Sequence, residues 1–578
     1  MKTRPGIRAN HYAVSSGHQL ASEAAINVLA AGGNAVDAGV AGGIALGVLH
    51  PDLVNVAGVA PIIMRMADTG EVRTIDGLGT WPRAASVEFF ERQFGGGIPE
   101  GILRTVVPAA PAAWITALDD FGTMSFGEVA GAAISYARDG FAVFPLLAET
   151  IAENEKKYAA HKSSADVFLP GGRPPRAGET FYQRDLAATL QYMVDEEKAA
   201  AGNRSDKLKA AYRAFYEGDI AGAICDYHSD NGGFMSRADM AGYKPRYEAP
   251  LRARFADSEF FTCGAWCQGI SLAQAFKMLD ANQLKALGHN SPAAIHQMTE
   301  TYKLVFADRE RYVADPAFVD VPVEAMLSPD YIAARRRLID SHCATPEMPP
   351  PGDPRNGLAL EGGTGGPALA AAPAGSTRLG DYDTSHVCVI DAAGNMFAAT
   401  PSDTSSDTVI IPGTGLCPSS RGSQSRGRSS HINALAPGKR PRLTPNPALA
   451  VRDGKPLMTI GTPGGDVQIQ AMTQVATNIL CHGMDTQAAI EAPRFATYSF
   501  PSSFAPFEYF PGLLKLEDRI DRTVGEELTS LGHKVEWWPE WTWKAGGVCA
   551  VLCTEADDGG TRLSAGADPR RANTALGS

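Results

Sequence analysis

Small apolar residues recur at three- and four-residue spacing early in the chain. Residues 22–49 read as two alanine-rich helices, broken at Gly32-Gly33-Asn34, where glycine and asparagine are expected to cap the first helix at its C-terminus. Residues 62–66 and 72–75 read as short strands around the turn Asp68-Thr69-Gly70. From about 110 to 340 the period is mainly helical, most clearly over 268–283 and 294–306. The run 346–380 is rich in Pro, Gly and Ala, buries little apolar surface, and predicts a mobile connector. An apolar hairpin follows it at once: a strand over 385–390, a turn at 392–395 and a returning strand over 396–400. Beyond 444, short strands alternate with helices near 467–480 and 516–531. There is no internal repeat at solenoid periods. The pattern describes a mixed α/β protein with a break just before Thr384.

Length and charge narrow the possibilities. A chain of 578 residues suggests three or four domains, unless its halves share one core. Hydrophobic residues make up 44% and charged residues 20%, as in ordinary globular proteins, and the net charge of −12 argues against a nucleic-acid partner. The longest uncharged apolar stretch, 38–49, is too short and glycine-rich to span a bilayer, and the first residues carry no apolar leader. The expectation is a cytoplasmic protein without a membrane partner. Nine cysteines at scattered spacings form no disulfide framework, and Cys263 and Cys267 are too far apart for a CxxC motif. Buried thiols are expected, and a zinc site is not.

A connector running into a buried hairpin that begins with threonine suggests an N-terminal nucleophile. A hydroxyl is a weak nucleophile and needs a base. Cleavage before Thr384 would free an α-amine of pKa about 7.7–8.0, able to take the proton from the hydroxyl on the same residue. Position alone leaves a plain strand-edge threonine open as the alternative.

Thr384-Ser385-His386, followed by the apolar strand, Asp391 and Gly394-Asn395, resembles the opening of the small subunit of γ-glutamyltransferases. Further stretches are similar to that family in the same order: 20–50, Tyr136 to Phe141, Ala307-Asp308-Arg309 to Asp315-Pro316, and Lys439-Arg440-Pro441. Gly461-Thr462-Pro463-Gly464-Gly465, Ala492-Pro493-Arg494-Phe495 and Ala567 to Arg571 complete the set. The resemblance implies an α+β fold, the four-layer αββα sandwich of N-terminal nucleophile hydrolases. It implies self-cleavage into a large subunit 1–383, with the linker 346–380, and a small subunit 384–578, which remain together as a heterodimer. It makes Thr384 the nucleophile, Ser402 its hydrogen-bonded partner, and Gly464 and Gly465 the oxyanion donors. His386 is then expected to be structural. The chemistry requires no metal or organic cofactor.

The sequence departs from the family where the γ-glutamyl group is held. Leu78 stands in place of the arginine that binds the α-carboxylate, and Leu443-Thr444 in place of a serine pair. The stretch 419–424 lacks the family's acidic run, and the glycine-rich loop reads Asn55-Val56-Ala57-Gly58. Seven basic residues and no acidic one lie between Asp407 and Asp453. They form either a solvated loop or a pocket for a carboxylate without a neighbouring ammonium, clamped by Arg421 or Arg442, with Thr404, Gln424 and Thr444 as further substrate contacts. The segment 401–424 looks closer to a branch that includes oxamate amidohydrolase. The expected function is therefore a self-processing amide hydrolase or acyltransferase acting on γ-glutamyl or other carboxylate-bearing amides. The alternatives are hydrolysis of a small acid amide such as oxamate, or an unprocessed metabolite-binding pseudo-enzyme.

Overall fold

The structure, a computed structural model, describes residues 3–357, 384–555 and 561–578. Two seven-stranded antiparallel sheets form its centre. One runs, edge to edge, through Thr574–Gly577, Ala13–Ser16, Val387–Ile390, Met396–Ala399, Ile62–Arg65, Val72–Ile75 and Tyr247–Glu248. The other runs through Ile7–Ala9, Thr561–Ala567, Cys549–Glu555, Lys455–Gly461, Ala448–Arg452, Ser258–Thr262 and Leu251–Phe255.

The period-two side-chain pattern of a strand explains the layering. In Val387–Ile390, Cys388 and Ile390 face a core shared with Leu449, Val451, Cys549 and Val551 of the second sheet. Val387 and Val389 face the opposite way, into a core with the helices Gln19–Ala30 and Ala35–Leu49. On the far side, Ala448, Ala450, Met458 and Ile460 pack against the helices Gly269–Met278, Pro292–Tyr312 and Gln468–Leu480. The order is helices, sheet, sheet, helices: the α+β sandwich that the resemblance implies. Both sheets mix strands from before and after residue 384, so the molecule is one interlocked unit rather than three or four domains. No described helix is long and apolar enough to cross a membrane.

Three local expectations change. Asn34 caps the N-terminus of Ala35–Leu49, in a capping box with Asp37, instead of ending the preceding helix. The mainly helical region contains the strands Leu251–Phe255 and Ser258–Thr262, whose short alternation was lost among longer helical signals. The connector is also shorter than its composition suggests. Residues 346–357 are docked, with Gly352 N donating to Asp308 Oδ1 at 3.0 Å and Tyr312 Oη donating to Gly352 O at 2.7 Å. The remainder, 358–380, and Asp383 lie outside the described residues.

Candidate active site

Thr384 stands where the chain enters the first sheet. Three residues later the chain forms Val387–Ile390, held between Ala13–Ser16 and Met396–Ala399. Thr384 itself forms an isolated antiparallel bridge with Ser402, while Ser385 N donates to Pro401 O at 3.0 Å. This backbone pairing brings the two hydroxyls together: Thr384 Oγ1 lies 2.7 Å from Ser402 Oγ, and both residues are buried. Behind Ser402, a terminal nitrogen of the Arg421 guanidinium donates to Ser402 Oγ.

Asp403 completes this arrangement, and the sequence reading gave it no role. Its carboxylate accepts hydrogen bonds from Ser420 N at 2.9 Å, Ser420 Oγ at 2.7 Å and Ser419 Oγ, with Arg421 Nε at 3.7 Å. Burial raises its pKa, against the pull of Arg421 and the two serines. Its φ of +143° is unusual for a residue with a side chain and costs roughly 1–3 kcal/mol. The strain is tolerated where the fold fixes both flanks, here through Asp403 N donating to Leu53 O and Ser402 N donating to Val59 O, each at 3.0 Å. The site's acid thus comes from the residue after Ser402, not from the acid-free stretch 419–424. Its adjacency to Ser402 was the available signal.

His386 lies fully buried with Nδ1 3.0 Å from Thr400 Oγ1, and burial lowers its pKa to about 3. A neutral, hydrogen-bonded ring fits a structural role. Gly461, closing the facing strand, makes room for it: a Cβ there would lie 2.2 Å from His386 Cε1. From Gly461 the chain turns through Gly464 and Gly465, at φ +121° and +54°, into the helix Gln468–Leu480. Positive φ at both positions is what glycine permits at low cost. Among the described residues, neither glycine N–H has an acceptor.

The basic run is neither a solvated loop nor an open clamp. Arg442 donates to Glu310 Oε1 at 2.5 Å and to Arg309 O at 3.1 Å, and Arg426 joins the same carboxylate at 3.1 Å. Burial works to raise the Glu310 pKa, yet Arg442 and Arg309 hold it well below the usual range. Arg440 binds Asp76, Glu248 and Asp315, each at 2.8 Å. The expectation that Arg442 clamps a substrate carboxylate therefore does not fit: its counter-ion is internal, supplied by a helix distant in sequence. Only Arg421 of this set reaches the Thr384–Ser402 pair. Gln424 Nε2 donates to Thr444 Oγ1 at 2.9 Å, so these two are brought together and both are buried. Thr404 lines a neighbouring cavity.

Leu78 and Leu443 share one buried apolar cluster with Val59, Cys263, Trp266 and Cys267. The cluster abuts the site, because Val59 bridges Ser402 and Leu443 bridges Cys267. Among the described residues one group, His296, Glu300 and His533, could approach a metal ion. However, His296 Nδ1 already lies 2.9 Å from His533 Nε2, and the buried Lys303 ammonium holds Glu300 at 2.7 Å, which disfavours a second cation.

Residues 21–578 match the model of the family described as Gamma-glutamyltranspeptidase. The acylase ACY 1 proenzyme of Pseudomonas sp. (strain V22) is 32% identical over 93% of this chain and 89% of its own length. The glutathione hydrolase proenzyme of Bacillus subtilis (strain 168) is 30% identical over 90% and 84%. The solved structure of LmbA2991HD superposes over 100% of both chains with a TM-score of 0.88 and 34% identity. The protein belongs to the gamma-glutamyltranspeptidase family and is, like these proenzyme relatives, an amide hydrolase or acylase of the N-terminal nucleophile type.

Proposed function

We propose that the chain cleaves itself before Thr384 and that the mature enzyme hydrolyses a small carboxylate-bearing amide through a Thr384 ester. In self-cleavage, Thr384 Oγ1 attacks the carbonyl of Asp383, the peptide nitrogen leaves as the new α-amine, and water hydrolyses the ester. In turnover, that amine takes the Thr384 hydroxyl proton as the oxygen attacks the substrate amide. The N–H groups of Gly464 and Gly465 receive the oxyanion. The α-ammonium returns its proton to the leaving amine, and water frees the acid. Ser402 orients the nucleophile by its hydrogen bond, and Arg421 fixes Ser402.

The observation that carries the reading is the 2.7 Å contact between Thr384 Oγ1 and Ser402 Oγ, backed by Arg421, at the junction where cleavage would free an amine. The acyl group follows from the Leu78–Leu443 cluster. Where the family resemblance expects an arginine and the first of two serines for the α-carboxylate, Leu78 and Leu443 pack in one apolar cluster, while Thr444 keeps a hydroxyl at the second serine position. Each lost hydrogen bond to a charged group is worth about 1.5–3 kcal/mol, enough to redirect specificity. This weakens recognition of a γ-glutamyl group, and it leaves Arg421, the guanidinium beside the Thr384–Ser402 pair, as the group that would meet the carboxylate of a shorter acid amide such as oxamate. γ-Glutamyl hydrolysis or transfer is the second reading, supported by the buried Gln424–Thr444 pair and the glutathione hydrolase relatives.

The test is a side-by-side assay of oxamate, a longer ω-carboxyacyl amide and glutathione. Ammonia or amine release from either of the first two, without glutamate from glutathione, supports the proposal. Glutamate release alone overturns the acyl assignment. A chain that stays single and turns over none of them is the metabolite-binding pseudo-enzyme instead.

A further inference from the structure

A cavity of ≈ 130 Å³ opens beside the site, between Thr404 and the aromatic residues Phe504 and Trp543. Both of its walls lead back to the reacting groups. The Phe504 ring centroid lies 5.6 Å from Arg421 Cζ, and Arg421 donates to Ser402. Trp543 opens the turn Trp543–Ala545, and the following Gly546 Cα lies 3.5 Å from where a Gly464 Cβ would stand. The cavity is therefore bounded by the nucleophile side on one hand and the oxyanion turn on the other. Two of the positions where the resemblance places the acyl group's contacts, Leu78 and Leu443, lie in a separate apolar cluster, and of the expected substrate contacts Thr404 alone lines this cavity. An amide carbonyl fixed between Thr384 and the two glycines has its acyl part on one side and its amine on the other. The open cavity is left for the amine.

Its lining is acidic: Asp52, Glu153, Asp407 and Glu508 against the one ammonium of Lys157. Asp407 supplies an independent sign of a missing donor. It is 1% exposed, and Arg104 holds its Oδ2 at 3.0 Å. Its Oδ1 has no hydrogen-bond partner among the described residues, with Lys157 Nζ the nearest cation at 3.5 Å. A buried carboxylate oxygen without a hydrogen bond is destabilising, the more so because it is charged, and a ligand N–H would recover that cost. Aromatic faces beside carboxylates also suit an alkylammonium, which gains from both.

We propose that this cavity is the leaving-amine subsite and that it selects amides whose amine carries a second positive charge, such as those of diamines or basic amino-acid derivatives. The proposal rests on the Thr384 reading for its role in turnover, but not for binding of the amine itself.

The test uses amides of one accepted acyl group with 1,4-diaminobutane, butylamine and 4-aminobutyrate, which differ mainly in the charge at the far end. The diamine amide should exceed the butylamine amide in kcat/KM by about tenfold, the equivalent of one charged hydrogen bond, with the 4-aminobutyrate amide the poorest. Glu508→Gln should narrow that ratio, chiefly by lowering kcat/KM for the diamine amide. Calorimetry of the free amines against the wild-type protein gives a readout that needs no turnover. If no amide is hydrolysed yet 1,4-diaminobutane binds and butylamine does not, the Thr384 reading falls and the cationic subsite stands. Equal kcat/KM for all three amides, a preference for the anionic one, or no preferential binding of the diamine overturns the subsite.

Discussion

At the residue scale, the site depends on a short chain of contacts from Asp403 through Arg421 and Ser402 to Thr384. Ser402→Ala removes one hydrogen bond from Thr384, the proposed nucleophile, and takes the Ser402 acceptor away from the Arg421 guanidinium. Steady-state kinetics should show kcat falling about 10- to 100-fold with KM little changed, as expected for loss of one charge-assisted contact. An unchanged kcat would remove Ser402 from the machinery. Asp403→Asn tests the other end. It removes the carboxylate charge 3.7 Å from the buried Arg421 guanidinium and weakens the hydrogen bonds from Ser419 and Ser420, and chemical denaturation should report a loss of about 1–3 kcal/mol. That Thr384 and Ser402 would lie together was legible through the resemblance of their neighbours to a known motif, and the structure places their hydroxyls 2.7 Å apart. Asp403 was missed although it adjoins Ser402, because its role depends on the local turn that brings Ser419 to Arg421 back over its carboxylate. The Arg442–Glu310 pair was not legible, since it joins segments more than a hundred residues apart.

At the element scale, the facing strands Val387–Ile390 and Lys455–Gly461 carry the site, and their contact at His386 and Gly461 sets its depth. Gly461→Ala would place a methyl group 2.2 Å from the imidazole. Such overpacking costs about 1–3 kcal/mol, so thermal melts should show lower stability together with slower processing. His386 also gives the fold an acid sensitivity of known sign. Its folded pKa of about 3 lies below the ordinary 6.5, so the unfolded chain binds the proton first. Its contribution to stability is complete above pH 6.5 and is lost as pH falls from 6.5 towards 3, by about 1.4 kcal/mol per unit for such a group. His18, His228 and His533 are lowered by burial in the same direction, so His386→Asn should reduce the slope of the stability profile in that window without abolishing it. The hairpin, the early helices and the late helix Gln468–Leu480 could be read from their periods, but the helix expected near 516–531 starts only at Arg522, because Leu513–Glu517 is a strand. The strands at 251–262 could not be read, because five-residue alternations carry little signal beside helices of ten or more residues.

At the scale of the whole molecule, the two prospective subunits are woven through both sheets. Val387–Ile390 has a strand of the first 383 residues on one side, and Ser258–Thr262 pairs with Ala448–Arg452 in the other sheet. Cleavage before Thr384 cuts no strand pairing, so the fragments should migrate as one particle and unfold in one transition. Segments 1–383 and 384–578 expressed apart should each fail to give a cooperative melt, since each lacks partners for its central strands. The sandwich class was legible only through resemblance; strand spacing alone could not reveal that distant strands share two sheets. The most direct measurement is the mass and N-terminal sequence of the fragments in a purified, active preparation. The account predicts a small fragment spanning 384–578 and beginning Thr-Ser-His. An active protein that remains one chain, or whose small fragment begins at any other residue, would contradict it.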